Sequence, residues 1–420
     1  MKEMTENLGN SLDLVSVTDE KFRTSTLLLV LNVPVVPEKN AAYTLAQSLL
    51  CASCRKYPNI TAMSKKLDDM YGAVLNSSVS TRGSVMQCAF SGVTIADRYA
   101  LEGEPLLEEL CTLLLDCLFD PNVKGEAFDE GEFAIQKQEL LDAIDAEINN
   151  KRSYARSRAR EKAFEGEPDA YPVYGKREDV EPLTPQSVYQ AYKELLRRSA
   201  VRIYYAGPVP APELAGRFAD AFAKLERTPE PLQFYAPSTL RETPVRVTEP
   251  MEVVQSKLVM VLKHGKLPRE TVQLFSAVFG ATPFSMLFMN VREKLSLCYY
   301  CVSRPMLGKD ALFIESGVEL DNAERAHDAI LEQLDTLRRG DFSEELLENA
   351  KHSIVGALRG IGDSPMSCLA DANDRYAEQD AADIEERIAR YEALTKQDIM
   401  EAAASMQEDT VYLMQQGGAV

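Results

Sequence analysis

Ser256-Lys257-Leu258-Val259-Met260-Val261-Leu262 and Ser25-Thr26-Leu27-Leu28-Leu29-Val30-Leu31-Asn32-Val33 are near-continuous apolar runs of strand length. Runs this rich in Val and Leu read as buried strands. The elements after each run come in the same order. After the first, a helix is expected from about Ala41 to Arg55, with Leu45, Leu49 and Ala52 on one face, and a second over about Thr61–Met70. Two strands come next, about Ala73–Ser80 and Val85–Val93, turned at Arg82-Gly83. A leucine-rich helix comes after them (Leu106–Leu118), then a long one whose buried face is marked by Phe133, Leu140, Leu141, Ile144 and Ile148.

After the second run, helices are expected from about Arg269 and from Pro283. Leu297–Ser303 and Ala311–Val318 form a strand pair turned at Gly308-Lys309-Asp310. The helix carrying Ala326, Ile330, Leu334 and Leu337 stops at Gly340, and Ser343 caps the next. The ends of the halves also match. Thr184-Pro185 starts a helix leading to the strand Val201–Tyr205, and Thr395 starts one leading to Thr410–Leu413. Between the halves Pro229, Pro231, Pro237, Pro244 and Pro250 punctuate an extended linker.

The expected fold is therefore α+β: two homologous domains, each a mostly antiparallel sheet with helices packed on one face. The division is 1–225, a linker over 226–255, and 256–420. The alternative is a pair of unrelated α+β domains.

A length of 420 residues suits two domains, and 45% apolar with 26% charged residues is a globular composition. Lys and Arg total 46 against 65 Asp and Glu, a formal charge of -19. Such a field disfavours nucleic acid and anionic membranes. It suits a basic or unfolded peptide, or serves solubility alone. No run approaches the roughly 18 apolar residues of a membrane span. The polar opening Met1–Asn7 has no signal-like apolar core, so a cytoplasmic location is expected. The eight cysteines then read as reduced thiols.

The second half holds the most specific text: Leu274-Phe275-Ser276-Ala277-Val278-Phe279-Gly280, Phe284-Ser285-Met286-Leu287-Phe288, and Val291-Arg292-Glu293-Lys294-Leu295-Ser296-Leu297-Cys298-Tyr299. This resembles the C-terminal domain of the insulinase-like (pitrilysin-type, M16) zinc peptidases and processing-peptidase subunits, whose duplicated plan also matches. Within that family the chain is most similar to bacterial proteins named for association with elongation factor P 5-aminopentanol modification. The resemblance implies His-x-x-Glu-His on the first long helix, with two zinc ligands and a general base, and a further Glu on a later helix. With Tyr57-Pro58 as anchor, those positions hold Thr44, Gln47 and Ser48, and the later helix places Ala143 at the third ligand. Hydroxyls are poor zinc ligands beside imidazole, and an amide cannot take a proton from water. Independently of any alignment, the only histidines are His264, His327 and His352, so the motif cannot be written anywhere in the chain.

Arg292 and Tyr299 match an Arg and a Tyr that, in active relatives, reach the substrate near the zinc. The resemblance thus implies a non-catalytic subunit that holds no cofactor, zinc being expected only on a homologous His-x-x-Glu-His-bearing partner, and that lends a peptide-binding domain to it. Otherwise Arg292 is a surface arginine and Tyr299 a half-buried strand residue. The glycine-rich loop of the non-catalytic processing-peptidase subunit has no counterpart in Gly280-Ala281-Thr282-Pro283, which holds one glycine. Two further readings are a stand-alone peptide-binding or assembly module, as a homodimer, and a hydrolase with a non-zinc site.

Weaker patterns read as structural. Cys51 and Cys54 fall on one face of a helix, whereas Cys298 and Cys301, on a strand, would point to opposite faces. His264 reads as a turn residue. Lys151-Arg152 with Arg156, Arg158 and Arg160 is a basic run that either pairs with acidic groups or forms a solvated face.

Overall fold

The computed structural model describes residues 2–306 and 308–417. In chain order its strands are β1 (Lys2–Asn7), β2 (Leu12–Thr18), β3 (Thr24–Pro34), β4 (Val74–Arg82), β5 (Val85–Ile95), the short hairpin β6–β7 (Val123–Lys124, Ala127–Phe128) and β8 (Ala200–Gly207). The second half supplies β9 (Val245–Met251), β10 (Ser256–Lys263), β11 (Cys298–Met306), β12 (Ala311–Val318) and β13 (Gln407–Gln416). The helices are α1 (Pro37–Ala52), α2 (Ile60–Asp69), α3 (Leu106–Phe119), α4 (Glu130–Ala146), α5 (Lys151–Ala163), α6 (Arg177–Val180), α7 (Pro185–Arg198) and α8 (Glu213–Phe222). Then come α9 (Arg269–Ser276), α10 (Ala323–Arg339), α11 (Glu344–Gly360), α12 (Pro365–Glu378), α13 (Ile384–Ala393) and α14 (Lys396–Ser405). Between α9 and β11, Ala277–Ala281 and Leu287–Lys294 wind as the wider π-helix.

The first sheet has the order β1-β2-β8-β3-β5-β4, and the second, read in the matching direction, β9-β13-β10-β12-β11. Apart from the extra β1, these are one plan strand for strand. In each, the first-named partner of the half's last strand runs parallel to it (β2 with β8, β9 with β13), and the other pairs are antiparallel. The two long apolar runs, β3 and β10, lie inside their sheets. Leu27, Leu29 and Leu31 face a core with Leu45 and Leu49 of α1 and Leu110 and Leu114 of α3. Leu258, Met260 and Leu262 face Phe275, Phe279, Ile330 and Leu334.

The alternate residues of a run apolar on both sides need a second cover, and its source corrects the expectation of helices on one face only. Leu28 and Val30, with Val15, Val17 and Tyr204, pack against Cys368, Leu369 and Ala372 of α12. Val259 and Val261, with Phe313 and Tyr412, pack against Ala155, Ala159 and Ala163 of α5 and against Phe164. Alanines four apart form one helix face, and their small side chains bring the helix axis close to the sheet. Helices α5 and α12 hold the same place in the duplicated order, so each sheet is closed by the other half's helix. The compact units accordingly cut across chain order. One takes the chain up to Asp145, Tyr171–Phe234 and Ile361–Asp380; the other takes Ala146–Ala170, Tyr235–Gly360 and everything from Ala381. They differ in this respect from the linear division 1–225, 226–255 and 256–420, whose end points Met1 and Val420 lie outside the described residues.

Three smaller expectations change. The linker yields β9, which pairs with β13 from Val245 to Met251. Strands β1 and β2, absent from the sequence reading, extend the first sheet. Ile148 is exposed beyond the end of α4, whose buried residues are Phe133 and Leu141.

Candidate functional site

Helix α1 begins with Pro37 in its first turn, after an extended Val36, and runs along the first sheet with most of its length buried. Its three motif positions are all engaged with backbone. The Gln47 side chain, 1% exposed, donates through Nε2 to the carbonyls of Ser78 (2.8 Å) and Ala89 (2.6 Å), which pair across β4 and β5. Thr44 Oγ1 donates to the Val173 carbonyl at 3.4 Å. Ser48 Oγ donates to the Thr44 carbonyl one turn back at 3.2 Å. Ala143 lies exposed on α4. Leu141, two positions earlier, shares a small buried cluster with Ala41 of α1 and Val180. Two residues along a helix is about 200° of rotation, so Ala143 points away from that cluster.

These residues do not fit a catalytic zinc. One amide is consumed by sheet carbonyls, two hydroxyls bond backbone, and no imidazole or carboxylate is among them. Among the described residues one trio, Glu324, His327 and Asp328, brings ligand-type atoms within 4.8 Å of one another. It lies on α10 in the second unit. His327 there is held by Glu408, Nε2 to Oε2 2.7 Å, which raises its pKa, with Asp328 adding to the effect against the burial that opposes it. It is an ion pair of the fold rather than a replacement for the lost motif.

In the second unit Arg292 and Tyr299 stay partly or largely in solvent. Arg292, in the last turn of the π-helical segment, is 38% exposed, with its guanidinium 4.5 Å from the Phe288 ring centre and Nη1 3.3 Å from Glu293. Tyr299 lies beyond it on β11, 60% exposed, and its hydroxyl donates to Glu319 at 2.8 Å, which raises its pKa. Tyr299 is thus an exposed residue of an edge strand. A mid-helix π winding adds one residue per turn and is enriched at functional sites.

The cysteine pairs differ from expectation. A bulge between Cys298 and Tyr300 in the β11–β12 register brings Cys298 to the same side as Cys301, against one core. The Cys301 thiol donates to Cys298 and holds its pKa down to about 7, with Arg292 adding a smaller effect in the same direction. Helix α1 ends at Ala52, so Cys54 lies beyond it in extended chain and meets Cys117 rather than Cys51. His264 is buried after β10, with Nδ1 2.6 Å from the Gly265 carbonyl oxygen.

The basic run on α5 pairs with carboxylates inside its own unit. Arg152 Nε donates to Glu315 at 2.7 Å and Arg156 Nη1 to its other oxygen at 3.2 Å. Arg158 reaches Glu249 at 3.5 Å, and Arg160 donates to the Asp169 carbonyl at 2.7 Å. Glu315 was missed by the sequence reading. Its signal was present: a lone acid inside Ala311-Leu312-Phe313-Ile314-Glu315, an otherwise apolar buried strand, requires cationic partners.

Comparison with known proteins agrees with this geometry. The model of the family described as Peptidase M16 inactive domain matches residues 182–354. The Bacillus subtilis (strain 168) protein "Probable inactive metalloprotease YmfF" is 28% identical over 403 residues, 95% of this chain and 94% of its own. A second protein of that organism, "Uncharacterized zinc protease YmxG", is 24% identical over 263 residues, 60% of this chain and 62% of its own. The crystal structure of a conserved protein from Enterococcus faecalis V583 superposes with a TM-score of 0.91 at 25% identity, covering 100% of this chain and 99% of that one. No helix among the described residues is long and apolar enough to cross a membrane. In its duplicated sheets and matched domain this chain is similar to the insulinase-like, M16-type proteins, and to a relative named as inactive, while Thr44, Gln47 and Ser48 of its first long helix offer no imidazole or carboxylate.

Proposed function

We propose that this chain is the non-catalytic partner in an insulinase-like peptidase pair, lending a peptide-binding domain to a homologue that carries His-x-x-Glu-His. The observation that carries the reading is the asymmetry of its polar groups. Gln47 is bonded into the sheet at the place of the general base, whereas Tyr299 and Arg292 stay accessible in the second unit. A guanidinium presents forked donors to a peptide carbonyl or carboxylate, and a tyrosine hydroxyl donates to a carbonyl oxygen.

The sheets support peptide capture as well. β4 and β11 are edge strands, and an extended peptide adds to such an edge through main-chain hydrogen bonds. In β4, the amide of Gln47 fixes the strand by holding the Ser78 carbonyl. The reading places no cofactor on this chain, zinc belonging to the partner, and locates the pair in the cytoplasm. A relative named as a zinc protease and a relative named as inactive in one organism fit such a pairing.

The test is co-expression with a His-x-x-Glu-His-bearing homologue, with complex formation followed by light scattering and peptide cleavage by the mixture. A stable complex whose cleavage rate falls about ten-fold or more with Arg292→Ala is expected, the loss of a charge-assisted hydrogen bond. Two outcomes defeat the reading: no complex, or cleavage indifferent to Arg292. A homodimer seen alone, with no affinity for the homologue, favours a stand-alone assembly module.

A further inference from the structure

On the α5 side of the second sheet, β10, β11 and β12 place Lys257, Tyr300, Arg304 and Glu315 on one face. The register sets this: Lys257 lies opposite Gly317, Val259 opposite Glu315, Tyr300 opposite Gly317 and Arg304 opposite Phe313. Helix α5 adds Arg152 and Arg156. Glu315, 1% exposed, is the one carboxylate among the described residues within ion-pair distance of any of the three arginines. Arg152 Nε is 2.7 Å from it, Arg156 Nη1 3.2 Å and Arg304 Nε 3.6 Å. Lys257 adds a further cation on this face, its Nζ 5.9 Å from the Tyr300 ring centre. Three arginines against one carboxylate leave two positive charges over beside Glu315, in a chain whose total is -19.

The excess has visible consequences. Burial, and then the charge of Arg152, push the Lys257 pKa down. Buried Nη2 of Arg152 has no hydrogen-bond partner; that guanidinium lies 4.3 Å from the centre of the Tyr300 ring. Glycine at 317 makes room for this ring, because a Cβ there would sit 2.5 Å from Tyr300 Cε1. Arg156 and Arg304 are 41% and 61% exposed, so their remaining donors face solvent. Glu315 alone would orient the arginines; it cannot neutralise them. A cluster built only to bury Glu315 would need one cation.

We propose that this face is a carboxylate-binding site, in which Arg156 and Arg304 take up a single peptide carboxylate, Arg152 and Glu315 hold them in position, and Tyr300 packs beside the bound residue. The inference rests on the peptide-binding reading above and names the group recognised. Arg304 and Tyr300 belong to edge strand β11, so a peptide added along that edge would have its side chains or its C-terminal end beside the cluster. Forked guanidinium donors match the two oxygens of a carboxylate. One carboxylate, unlike a polyanion, escapes most of the repulsion from the rest of the acidic chain. An α-carboxylate and an Asp or Glu side chain share this chemistry.

The experiment uses the full chain and rhodamine-labelled eight-residue Ala/Ser peptides, with binding read by fluorescence anisotropy. One pair differs in a free C-terminal acid or its amide; a second, amidated, differs in one internal Glu or Gln. Loss of the recognised carboxylate should weaken binding about ten-fold or more, and the pair that responds names its source. Arg304→Gln and Arg156→Gln should weaken the acid peptides to the level of the neutral ones with unchanged circular dichroism, since both side chains are solvent-facing. Added salt should act in the same direction. Acid and neutral peptides binding alike, or acid binding untouched in both variants, overturns the carboxylate site and leaves peptide capture standing. If none of the peptides binds, the site and stand-alone capture both fall, while the pairing assay still judges the subunit role.

Discussion

Gln47, on the helix that covers the first unit's sheet, is 1% exposed, whereas Tyr299, on an edge strand of the second unit's sheet, is 60% exposed. In the first unit the residues that the sequence aligns with the zinc motif have structural uses: Gln47 joins two strands, Thr44 bonds a loop, Ser48 its own helix. In the second, Arg292 and Tyr299 keep short-range partners, Glu293 and Glu319, while much of each side chain remains in solvent. The two sets of polar groups are put to different uses. An imidazole ligand must hold a lone pair free for the metal, whereas an amide of similar reach can spend its donors on nearby carbonyls. Polar groups that recognise a ligand cannot be absorbed in this way, because recognition needs them accessible.

The contrast is tested hardest at the exchanged helices, where the largest effects are expected. Ala159→Asp buries an unpaired carboxylate against Val259 and Val261 and should cost about 3–5 kcal/mol. Leu369→Ala, its counterpart on α12, should cost about 3 kcal/mol. Urea unfolding followed by circular dichroism measures both; a variant within 1 kcal/mol of the parent, roughly the scale of a surface change, would mean that the helix is not a structural part of that sheet.

Gln47→Glu comes next, at about 2–3 kcal/mol near neutral pH. The new carboxylate would face the Ser78 and Ala89 carbonyls, so its folded-state pKa would rise above the usual value of about 4.3. The penalty should be absent below that usual value and grow as pH rises above it. Melting temperatures of both proteins from pH 4 to 8 test the sign; a gap that widens toward acid contradicts it.

His327 probes the second unit. Its pKa is raised by Glu408, so the pair stabilises the fold fully below about pH 6.5, the unfolded value, and the contribution fades as pH passes the folded value. His327→Gln should therefore cost about 1.5 kcal/mol at pH 5.5 and much less at pH 9. Equal losses at the two pH values would show that the imidazole is never charged there.

The smallest effects test how deep the duplication goes. Thr184 caps α7 through the Ser187 amide, and Thr395 caps α14 through that of Asp398. Each Thr→Ala should cost about 1 kcal/mol. A clear inequality, measured by thermal unfolding, would set the two equivalent caps apart.

Much of the fold was legible in the sequence, for local reasons. The caps at Thr184, Ser343 and Thr395 depend on chemistry within a few residues, as does the left-handed Gly340 that ends α10. Cys298 and Cys301 were misjudged because a bulge, set by pairing with β12, breaks the two-residue alternation. Ala143 was placed by matching a helix whose rotation only its packing reveals. Glu315 stood in plain view, but two of its three arginines, Arg152 and Arg156, come from a helix distant in sequence.

Residue type and order alone decided that the chain is written twice and that its front half holds no imidazole for zinc; neither statement needs coordinates, because one is a pattern and the other an inventory. Tertiary structure alone decided that α5 closes the second sheet and α12 the first, that Gln47 bonds β4 and β5, and that three arginines meet at Glu315. Those arrangements depend on which buried faces meet, and a strand apolar on both sides accepts any helix with a small enough apolar stripe. Its sequence does not say which one arrives.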